Sequence, residues 1–555
     1  MSSLDSQSDA LDGTKEASPY VDEKPSATPG SGRKQGLVGA IIGVMMLLTL
    51  AAALDATTIT TALEYMTSAL GGTAIDAVWA GTSFLLTSTV FQPIIASFSE
   101  IFGRRPVTIV AAVLFTVGAC VAGWAKNFPV LIAGRAIQGA GGGGIISLTE
   151  VILTDLIPLR ERGKYFGLFS MVWAFGSVIG PVIGGAFAQN VTWRWIFWIN
   201  LPICGIALPL IPLFLRLSPP RSKVSEKLQR IDWIGMVLFI GSVTSLLLGV
   251  SFGGTMFPWR SASVVLPLVI GGCGIIVFCI YEWFVPKEPM VPMRIFSDRT
   301  AIVNYIGTLM HGIVMWCMVY YISLYYLVVQ GFTPIMSGVA AFPLTFTIAP
   351  ASVVVGIAVS ISGRFRWALW VGWALVVMGM GLMSMLSTGT TTGQWIGLTI
   401  VEGIGAGMLF PSMGTAIQAS VDQDNVAIAS AMFSFARALG QTFGVAIGGS
   451  IFTNRFTTLA LQSSVLHDNA VSFGQDAFAL VEVIKNMDPN SPVRLELLRV
   501  YAEALQLVWY TLIAFAAIGF VTSLASQKKS LDRELHSKQQ LDGSASPSDD
   551  EKDMV

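Results

Sequence analysis

Residues 36–58 read GLVGAIIGVMMLLTLAAALDATT, and this stretch decides the kind of protein that the chain forms. The nineteen residues before Asp55 include no charged side chain. A helix needs about 20 mostly apolar residues to cross the hydrocarbon core of a bilayer. The stretch therefore predicts a membrane-spanning helix, and similar runs recur along the whole chain.

Fourteen such runs predict fourteen spans, near residues 36–58, 78–98, 107–125, 130–153, 164–187, 195–216, 232–252, 263–284, 301–329, 337–361, 368–387, 394–419, 427–452 and 504–525. Helices are expected because lipid cannot satisfy backbone N–H and C=O groups. None of the runs alternates apolar and polar residues as the strands of a membrane barrel do. The predicted fold class is an all-α membrane protein.

Composition supports this prediction. Of the 555 residues, 53% are hydrophobic and 12% are charged, and the mean hydropathy is +0.67. Soluble domains carry about 25% charged residues, so water-soluble domains are excluded for the body of the chain. The net charge of −1 argues against nucleic acid as a partner, which would require a basic surface. The five cysteines lie in apolar runs without metal-ligand spacing, so we expect no metal and no cofactor.

Charged residues concentrate at the two ends, so residues 1–35 and 526–555 are predicted to be disordered tails. Between them we expect a six-helix half over residues 36–217 and a second six-helix half over 301–525. Linkers and an inserted helix pair occupy 218–300, and a long outer loop occupies 453–503. On the side of the tails lie 24 of the 33 Lys and Arg residues, which predicts that both termini are cytosolic.

Two short basic turns repeat at matching places in the two halves. Residues 99–105 read SEIFGRR, and residues 362–366 read SGRFR. Paired halves of this kind are how many secondary transporters are built. The repeat therefore favours a transporter.

The fifth span contains a stripe of glycines. Gly176, Gly180 and Gly184 are spaced by four residues and so lie on one helical face, with Pro181 and Gly185 beside them. Such a face lets a neighbouring helix approach to backbone contact. Close packing of two helices is the simplest interpretation.

This segment resembles the antiporter signature of the major facilitator superfamily, in its fourteen-span drug:proton antiporter branch. Residues 54–57, 100–105, 131–139, 158–164 and 193–202 resemble other motifs of that branch, which includes fungal toxin and multidrug efflux pumps. The resemblance covers residues 36–525. It implies the major facilitator fold and a monomer in the plasma membrane, and not an enzyme. It also implies export of lipophilic or amphipathic organic compounds in exchange for protons by alternating access.

Asp55 and Arg135 lie within the first and fourth predicted spans. Asp55 is near the outer end of its span, where it either reaches the interface or handles protons. Arg135 lies deeper, where an unpaired guanidinium costs about 2.5–3.5 kcal/mol. It should therefore face a polar cavity and find partners. The resemblance implies that it takes part in proton coupling, and a structural hydrogen-bond anchor is the alternative.

Three further ionisable residues lie in the C-terminal half. Glu402 lies two turns inside the twelfth span, and a carboxyl group in such surroundings can exchange protons near neutral pH. A satisfied interhelical hydrogen bond is the alternative. His311 could also titrate, although a lone histidine is commonly a packing residue. For Arg437 we expect a side chain that reaches towards the cytosolic interface.

The turn after the second span contains Glu100, Gly103, Arg104 and Arg105. Its charges fit the positive-inside rule. The resemblance implies in addition a conformational switch that latches the two halves. The chain departs from the family pattern at Ala96, where glycine is usual, and at Glu100, where aspartate is usual.

Other functions remain open at this stage. A vacuolar basic amino acid carrier of the same fold would need acidic groups in its cavity, and Asp55, Glu64 and Glu402 do not exclude it. A proton-coupled importer would differ only in direction. Asn190 begins the sequon Asn-Val-Thr, but it lies so close to a helix end that glycosylation is doubtful.

Overall fold

The computed structural model describes residues 31–59, 62–217, 223–254, 256–470, 473, 480–535 and 539, and these residues are mostly helical. Its long helices are α1 (Ser31–Thr58), α2 (Ala74–Phe102), α3 (Arg104–Gly123), α4 (Phe128–Leu156), α5 (Leu159–Asn190), α6 (Asn200–Phe214), α7 (Trp233–Phe252), α8 (Ala262–Phe284), α9 (Arg299–Val328), α10 (Phe342–Ser362), α11 (Arg366–Met383), α12 (Thr392–Ser420), α13 (Val426–Gln462) and α14 (Pro492–Leu524). Shorter helices are Leu63–Leu70, Trp195–Trp198, Val224–Gln229, Pro334–Ala340 and Leu480–Asn486.

The span count agrees closely with the sequence prediction. Within the described residues, thirteen helices are long and apolar enough to cross a membrane. The remaining predicted span, 427–452, falls inside α13, a helix of 37 residues that also carries Arg437 and Arg455. The all-helical, multispan fold class is therefore confirmed.

The two halves repeat one packing pattern. In the first half, α4 packs against α2 and α3, and α1 packs against α5 and α6. In the second half, α12 packs against α10 and α11, and α9 packs against α13 and α14. Helices α7 and α8 pair with each other between the halves in sequence. The halves meet where α5 packs on α10 and where α13 packs on α2 and α4.

Side-chain caps begin several of the helices. The Thr73 hydroxyl and the Asp76 carboxylate form a capping box at the start of α2, and the Asn127 side chain accepts from the Val130 N–H at the start of α4. The Asp298 carboxylate accepts from Thr300 N at 2.7 Å at the start of α9. These caps satisfy backbone N–H groups that have no partner within the helix.

The distribution of buried and exposed side chains is that expected of a protein surrounded by lipid: apolar side chains lie on the outside and ionisable ones on the inside. Helix α8 exposes a row of large apolar side chains, namely Val265, Leu266, Val269, Ile270, Ile276, Val277 and Ile280. Polar and ionisable side chains such as Asp55, Arg135 and Glu402 lie inside. A soluble monomer rarely exposes so large an apolar surface, which fits a bilayer as the surrounding solvent.

The described residues differ from the sequence prediction at two boundaries. The outer loop expected over 453–503 is largely helical, because α13 continues to Gln462 and α14 begins at Pro492. The C-terminal tail was expected to be disordered from residue 526, yet residues 526–535 lie against the helix bundle. Ser526 and Leu531 are each 1% exposed, so apolar burial and hydrogen bonds compensate the ordering of this segment. Residues 1–30 of the predicted N-terminal tail lie outside the described residues.

Candidate functional site

Asp55 and Arg135 form an ion pair inside the first half. Asp55, near the end of α1, and Arg135 of α4 are each 1% exposed, and Arg135 Nη1 lies 2.5 Å from Asp55 Oδ2. The other carboxylate oxygen, Oδ1, accepts from Gln138 Nε2 at 2.7 Å and from Asn200 Nδ2 at 3.0 Å. The Asp55 carboxylate is therefore enclosed by polar side chains inside the protein. We call these four residues the aspartate cluster.

The guanidinium of Arg135 is satisfied on several sides. Its Nε donates to the Ala80 carbonyl at 3.1 Å, and its Nη1 also donates to Gln138 Oε1 at 2.9 Å. The ring of Phe84 lies 4.4 Å from the guanidinium carbon. Burial of two ions is costly, and charge-assisted hydrogen bonds of this number and length offset that cost. Arg135 thus has the polar partners that its position requires, whereas the polar cavity that it was expected to face stays a prediction.

The glycine stripe of α5 brings that helix against α1. A Cβ atom on Gly176 would lie 2.7 Å from the Ala53 Cβ, and one on Gly180 would overlap the Thr57 hydroxyl. The Thr57 hydroxyl donates to the Gly176 carbonyl at 3.2 Å across this contact. Gly184 and Gly185 are buried on the same helix, in which Pro181 is an interior residue. The stripe therefore packs α5 on the helix that carries Asp55.

Sequence reasoning missed a second glycine stripe with the same spacing. Residues 440–449 read GQTFGVAIGG, against GSVIGPVIGG at residues 176–185. A Cβ atom on Gly440 or Gly444 would overlap the backbone of α9, at the carbonyls of Leu309 and Ile313. Helix α13 thus packs on α9 as α5 packs on α1. Comparing the chain with itself would have revealed this repeat.

Glu402 occupies a different place from the aspartate cluster. It is fully buried in α12, and its backbone lies against Gly379 of α11, where no Cβ atom would fit. Both carboxylate oxygens lack a hydrogen-bond partner among the described residues. All described partners of Arg135 belong to the first half, so the structure does not bring Glu402 to Arg135. The side chain of Glu64 lies outside the described residues.

A second group of charges spans the interface between the halves. Glu150 of α4, which is 5% exposed, interacts electrostatically with Arg437 of α13. The Arg437 guanidinium lies over the ring of Phe410, 4.6 Å from its centroid, so this side chain does not extend to the interface as expected. Glu150 Oε2 and Arg437 Nε are buried and have no hydrogen-bond partner in the described part of the chain.

His311 lies beside this group. It is 7% exposed on α9, its Nε2 is 3.3 Å from the Ala406 carbonyl, and it interacts electrostatically with Arg437. Sequence reasoning named His311 and Arg437 but missed Glu150. The signal was present, since Glu150 is an acid inside a predicted span, as Glu402 is.

Aromatic rings close the interface next to these charges. Phe166 of α5 packs edge-on against Phe410 of α12, with ring centroids 5.7 Å apart, and contacts Phe433 of α13 at 6.2 Å. All three side chains are buried. One ring therefore comes from the first half and two come from the second.

The predicted switch turn holds three helices of the first half together. Gly103 joins α2 to α3 with φ of 101°, a conformation that favours glycine. Arg104 donates to Asp155 at 2.7 Å and to Ser99 Oγ at 2.7 Å. Glu100 is half-buried and interacts electrostatically with Arg104, whereas Arg105 is exposed.

Two other arginines connect the halves at this end of the bundle. Arg160 Nε donates to the Ser360 carbonyl at 2.8 Å, and its Nη2 donates to Ile361 at 3.0 Å. Arg162 Nη1 donates to Gln418 Oε1 of α12 at 3.2 Å. We call the end of the bundle that carries Arg104, Arg160 and Arg162 the basic end. It is closed by direct hydrogen bonds between α5 and the second half.

Asn190 is the last residue of α5. Its side chain is exposed, and its Nδ2 donates to the Ala186 carbonyl at 3.1 Å. A glycan would replace one of the two hydrogens on this nitrogen, and the other could still serve the bond to Ala186. Glycosylation at Asn190 stays a doubtful prediction.

Comparisons with known proteins agree on one family. A family model described as Major Facilitator Superfamily matches residues 45–445. "MFS transporter L2" from Phoma sp. is 46% identical over 491 residues, which cover 88% of this chain and 82% of the relative. "Efflux pump FUS6" from Gibberella moniliformis is 38% identical over 514 residues, covering 92% of this chain and 91% of the relative. The structure of the human organic anion transporter MFSD10 (TETRAN) superposes on this chain with a TM-score of 0.55 at 13% sequence identity, and the match covers 88% of this chain and 99% of the transporter chain. At this identity the similarity supports the fold alone.

Proposed function

This chain belongs to the major facilitator superfamily, and we propose that it exports lipophilic or amphipathic organic compounds in exchange for protons by alternating access. It is a multispan membrane transporter and not an enzyme. The names of its relatives, a transporter and an efflux pump, support export of small organic compounds. Proton exchange and the rocking of the halves are our proposal.

The aspartate cluster is the observation that carries proton exchange. Asp55 and Arg135 are an ion pair within helices that cross a bilayer, where ionisable residues are costly and usually serve transport. The carboxylate also accepts hydrogen bonds from Gln138 and Asn200, so a proton arriving at Asp55 would break several bonds at once. Protonation there would loosen α1 from α4 and α6.

The interface charges supply a route from protonation to movement. Glu150 and Arg437 belong to helices of opposite halves, so their attraction depends on how close the halves are. A proton on Glu150 would abolish that attraction and favour separation of α4 from α13. Glu402 and His311 are further candidate proton-binding groups, since neither carboxylate oxygen of Glu402 nor Nδ1 of His311 has a hydrogen-bond partner among the described residues.

The repeated halves and their contacts support alternating access. Two bundles of like packing meet along α5–α10 and α2–α13, and hydrogen bonds of Arg160 and Arg162 hold them together at the basic end. Rocking about such an interface would open one end as the other closes. In this arrangement the apolar path between the halves would take up the compound, with Phe166 and Phe410 as part of its lining.

A dye-efflux assay tests the proposal. Cells expressing the parent chain are loaded with a fluorescent lipophilic dye, and efflux is compared for Arg135→Ala, Glu150→Gln and Glu402→Gln. Arg260→Gln is the control, because Arg260 is an exposed arginine outside the predicted site residues. We expect Arg135→Ala and Glu150→Gln to lose efflux, the control to keep it, and a protonophore to abolish it in the parent. Efflux at the parent rate in all the variants, with no effect of the protonophore, would refute the mechanism.

Location and direction are part of the same proposal. We place the protein in the plasma membrane with both termini in the cytosol, as the distribution of Lys and Arg favours. The alternative is a vacuolar carrier of basic amino acids, which would accumulate labelled lysine in vacuoles and would not transport the dye. Deleting an exporter should sensitise cells to toxic compounds, whereas deleting an importer should starve them.

A further inference from the structure

The segment after α14 crosses the basic end of the bundle and touches both halves. We call residues 526–535 together with Gln539 the strap. The strap follows the last helix directly, and Leu531 buries its side chain in the hydrophobic core at 1% exposure. This contact fixes the middle of a segment whose composition is otherwise that of a solvated tail.

Most anchors of the strap lie on the second half. Lys529 Nζ lies 2.5 Å from Asp298 Oδ2, at the start of α9. Arg533 donates to the carbonyls of Ala419 at 2.7 Å and Val421 at 3.0 Å, at the end of α12. These carbonyls belong to a helix terminus, where backbone acceptors lack partners within the helix. The strap therefore moves with the second half.

Two residues of the strap reach the first half. Gln539, which is 2% exposed, donates through Nε2 to the Ser99 carbonyl at 3.0 Å. Its Oε1 accepts from the Arg104 backbone N–H at 2.9 Å, so one amide bridges the end of α2 and the start of α3. Asp532 Oδ1 lies 2.8 Å from Arg160 Nη1, but this pair is exposed and contributes less.

The strap lies along a cavity between the halves. The cavity has a volume of about 570 Å³ and lies at the basic end. Its lining includes Arg162 from the first half, Gln418 from the second half, and Arg533, Glu534 and Gln539 from the strap. Opening the basic end would widen this cavity and would pull Gln539 away from Ser99 and Arg104.

We propose that the strap is a latch that holds the basic end closed. It is anchored on the second half and clasps the first half through Gln539, aided by Asp532, so the halves separate at this end only when those bonds break. The latch adds to the direct bonds of Arg160 and Arg162. It rests on the alternating access of the proposed function, and it does not depend on protons or on the substrate.

Thiol labelling of purified protein in nanodiscs tests the latch. A cysteine is introduced at Ala427, which lines the cavity and is 8% exposed, and its reaction with a bulky hydrophilic maleimide is timed. The same protein without this substitution corrects for the five native cysteines. Gln539→Ala with Asp532→Ala should raise the labelling rate about tenfold, the effect expected from losing two buried hydrogen bonds.

A chain that ends at Leu535 should show the same increase, because it lacks Gln539. Leu535→Ala, which is 37% exposed, is the matched control and should label at the parent rate. A labelling rate equal to the parent in both the double variant and the shortened chain would overturn the latch. The readout measures opening of the basic end and not transport, so failure of proton exchange would leave this result unaffected.

Discussion

Replacing Asp55 with asparagine should destabilise the folded protein by about 3–5 kcal/mol. The substitution keeps the shape of the side chain but removes the charge that compensates Arg135. Both side chains are 1% exposed, so water cannot take over the lost interaction. A buried ion pair that loses one partner leaves an uncompensated charge, which is the source of the large effect.

The hydrogen bonds point to the same magnitude. The carboxylate accepts from Arg135 at 2.5 Å, Gln138 at 2.7 Å and Asn200 at 3.0 Å. An asparagine has only one acceptor oxygen, and its NH₂ group would face one or more of these donors. Each buried donor left without an acceptor costs about 1–3 kcal/mol.

The assay is a double-mutant cycle read by reversible unfolding in mixed detergent micelles. Asp55→Asn and Arg135→Gln are measured singly and together, and Asp468→Asn is the control, since the Asp468 side chain is fully exposed. The double variant removes both charges and should cost less than the sum of the single variants by about 2–3 kcal/mol. Additive effects, or an Asp55→Asn protein as stable as the control, would refute the reasoning.

Three further predictions concern packing, the basic end and pH. Gly180→Ala should destabilise the protein by about 1–3 kcal/mol, because the added methyl group pushes α5 away from Thr57. Gly205→Ala is the control, since its added Cβ meets no atom within 4 Å, and it should leave the protein's stability nearly unchanged. Thermal unfolding measures both variants. Arg162→Gln should speed maleimide labelling at the basic-end cavity, because its bonds to Gln418 and to two carbonyls of the first half are lost; a rate like the parent's would argue against a role in closure. Burial raises the pKa of Asp298, but hydrogen bonds from Lys529 and from the start of α9 outweigh this effect and lower the pKa. The Lys529–Asp298 anchor of the strap should therefore hold from neutral pH down to about pH 4 and weaken below it, as read by a fall in the anisotropy of a fluorophore near Lys529. Release between pH 5 and 8 would contradict this last prediction.

The spans could be predicted because each needs only a long apolar run. The partners of Arg135 were predictable in kind, since a guanidinium inside a span has to find acceptors. Their identity was not, because Asp55 and Ala80 lie 80 and 55 residues away in sequence and only the packing of α1, α2 and α4 brings them to Arg135. The neighbours of Glu402 could not be predicted either, because Gly379 belongs to another helix.

The basic end shows where sequence reasoning stops. The side chain of the predicted switch residue Arg104 binds within the first half, while the side chains of Arg160 and Arg162 bind the second half. Basic residues near a helix end satisfy the positive-inside rule wherever they point, so composition cannot distinguish the two roles. The ordering of the strap was missed for a related reason, because Arg533 and Gln539 bind backbone groups, which leave no pattern in the sequence.

Transport by the purified protein in proteoliposomes tests the central claim most directly. A lipophilic dye is placed on one side, a pH gradient is imposed with the membrane potential clamped, and dye movement and internal pH are recorded together. We predict that dye moves against the direction of proton flow and that Asp55→Asn abolishes both signals. A rate of dye movement that does not change with the pH gradient, or dye movement in the same direction as the protons, would contradict proton-driven export.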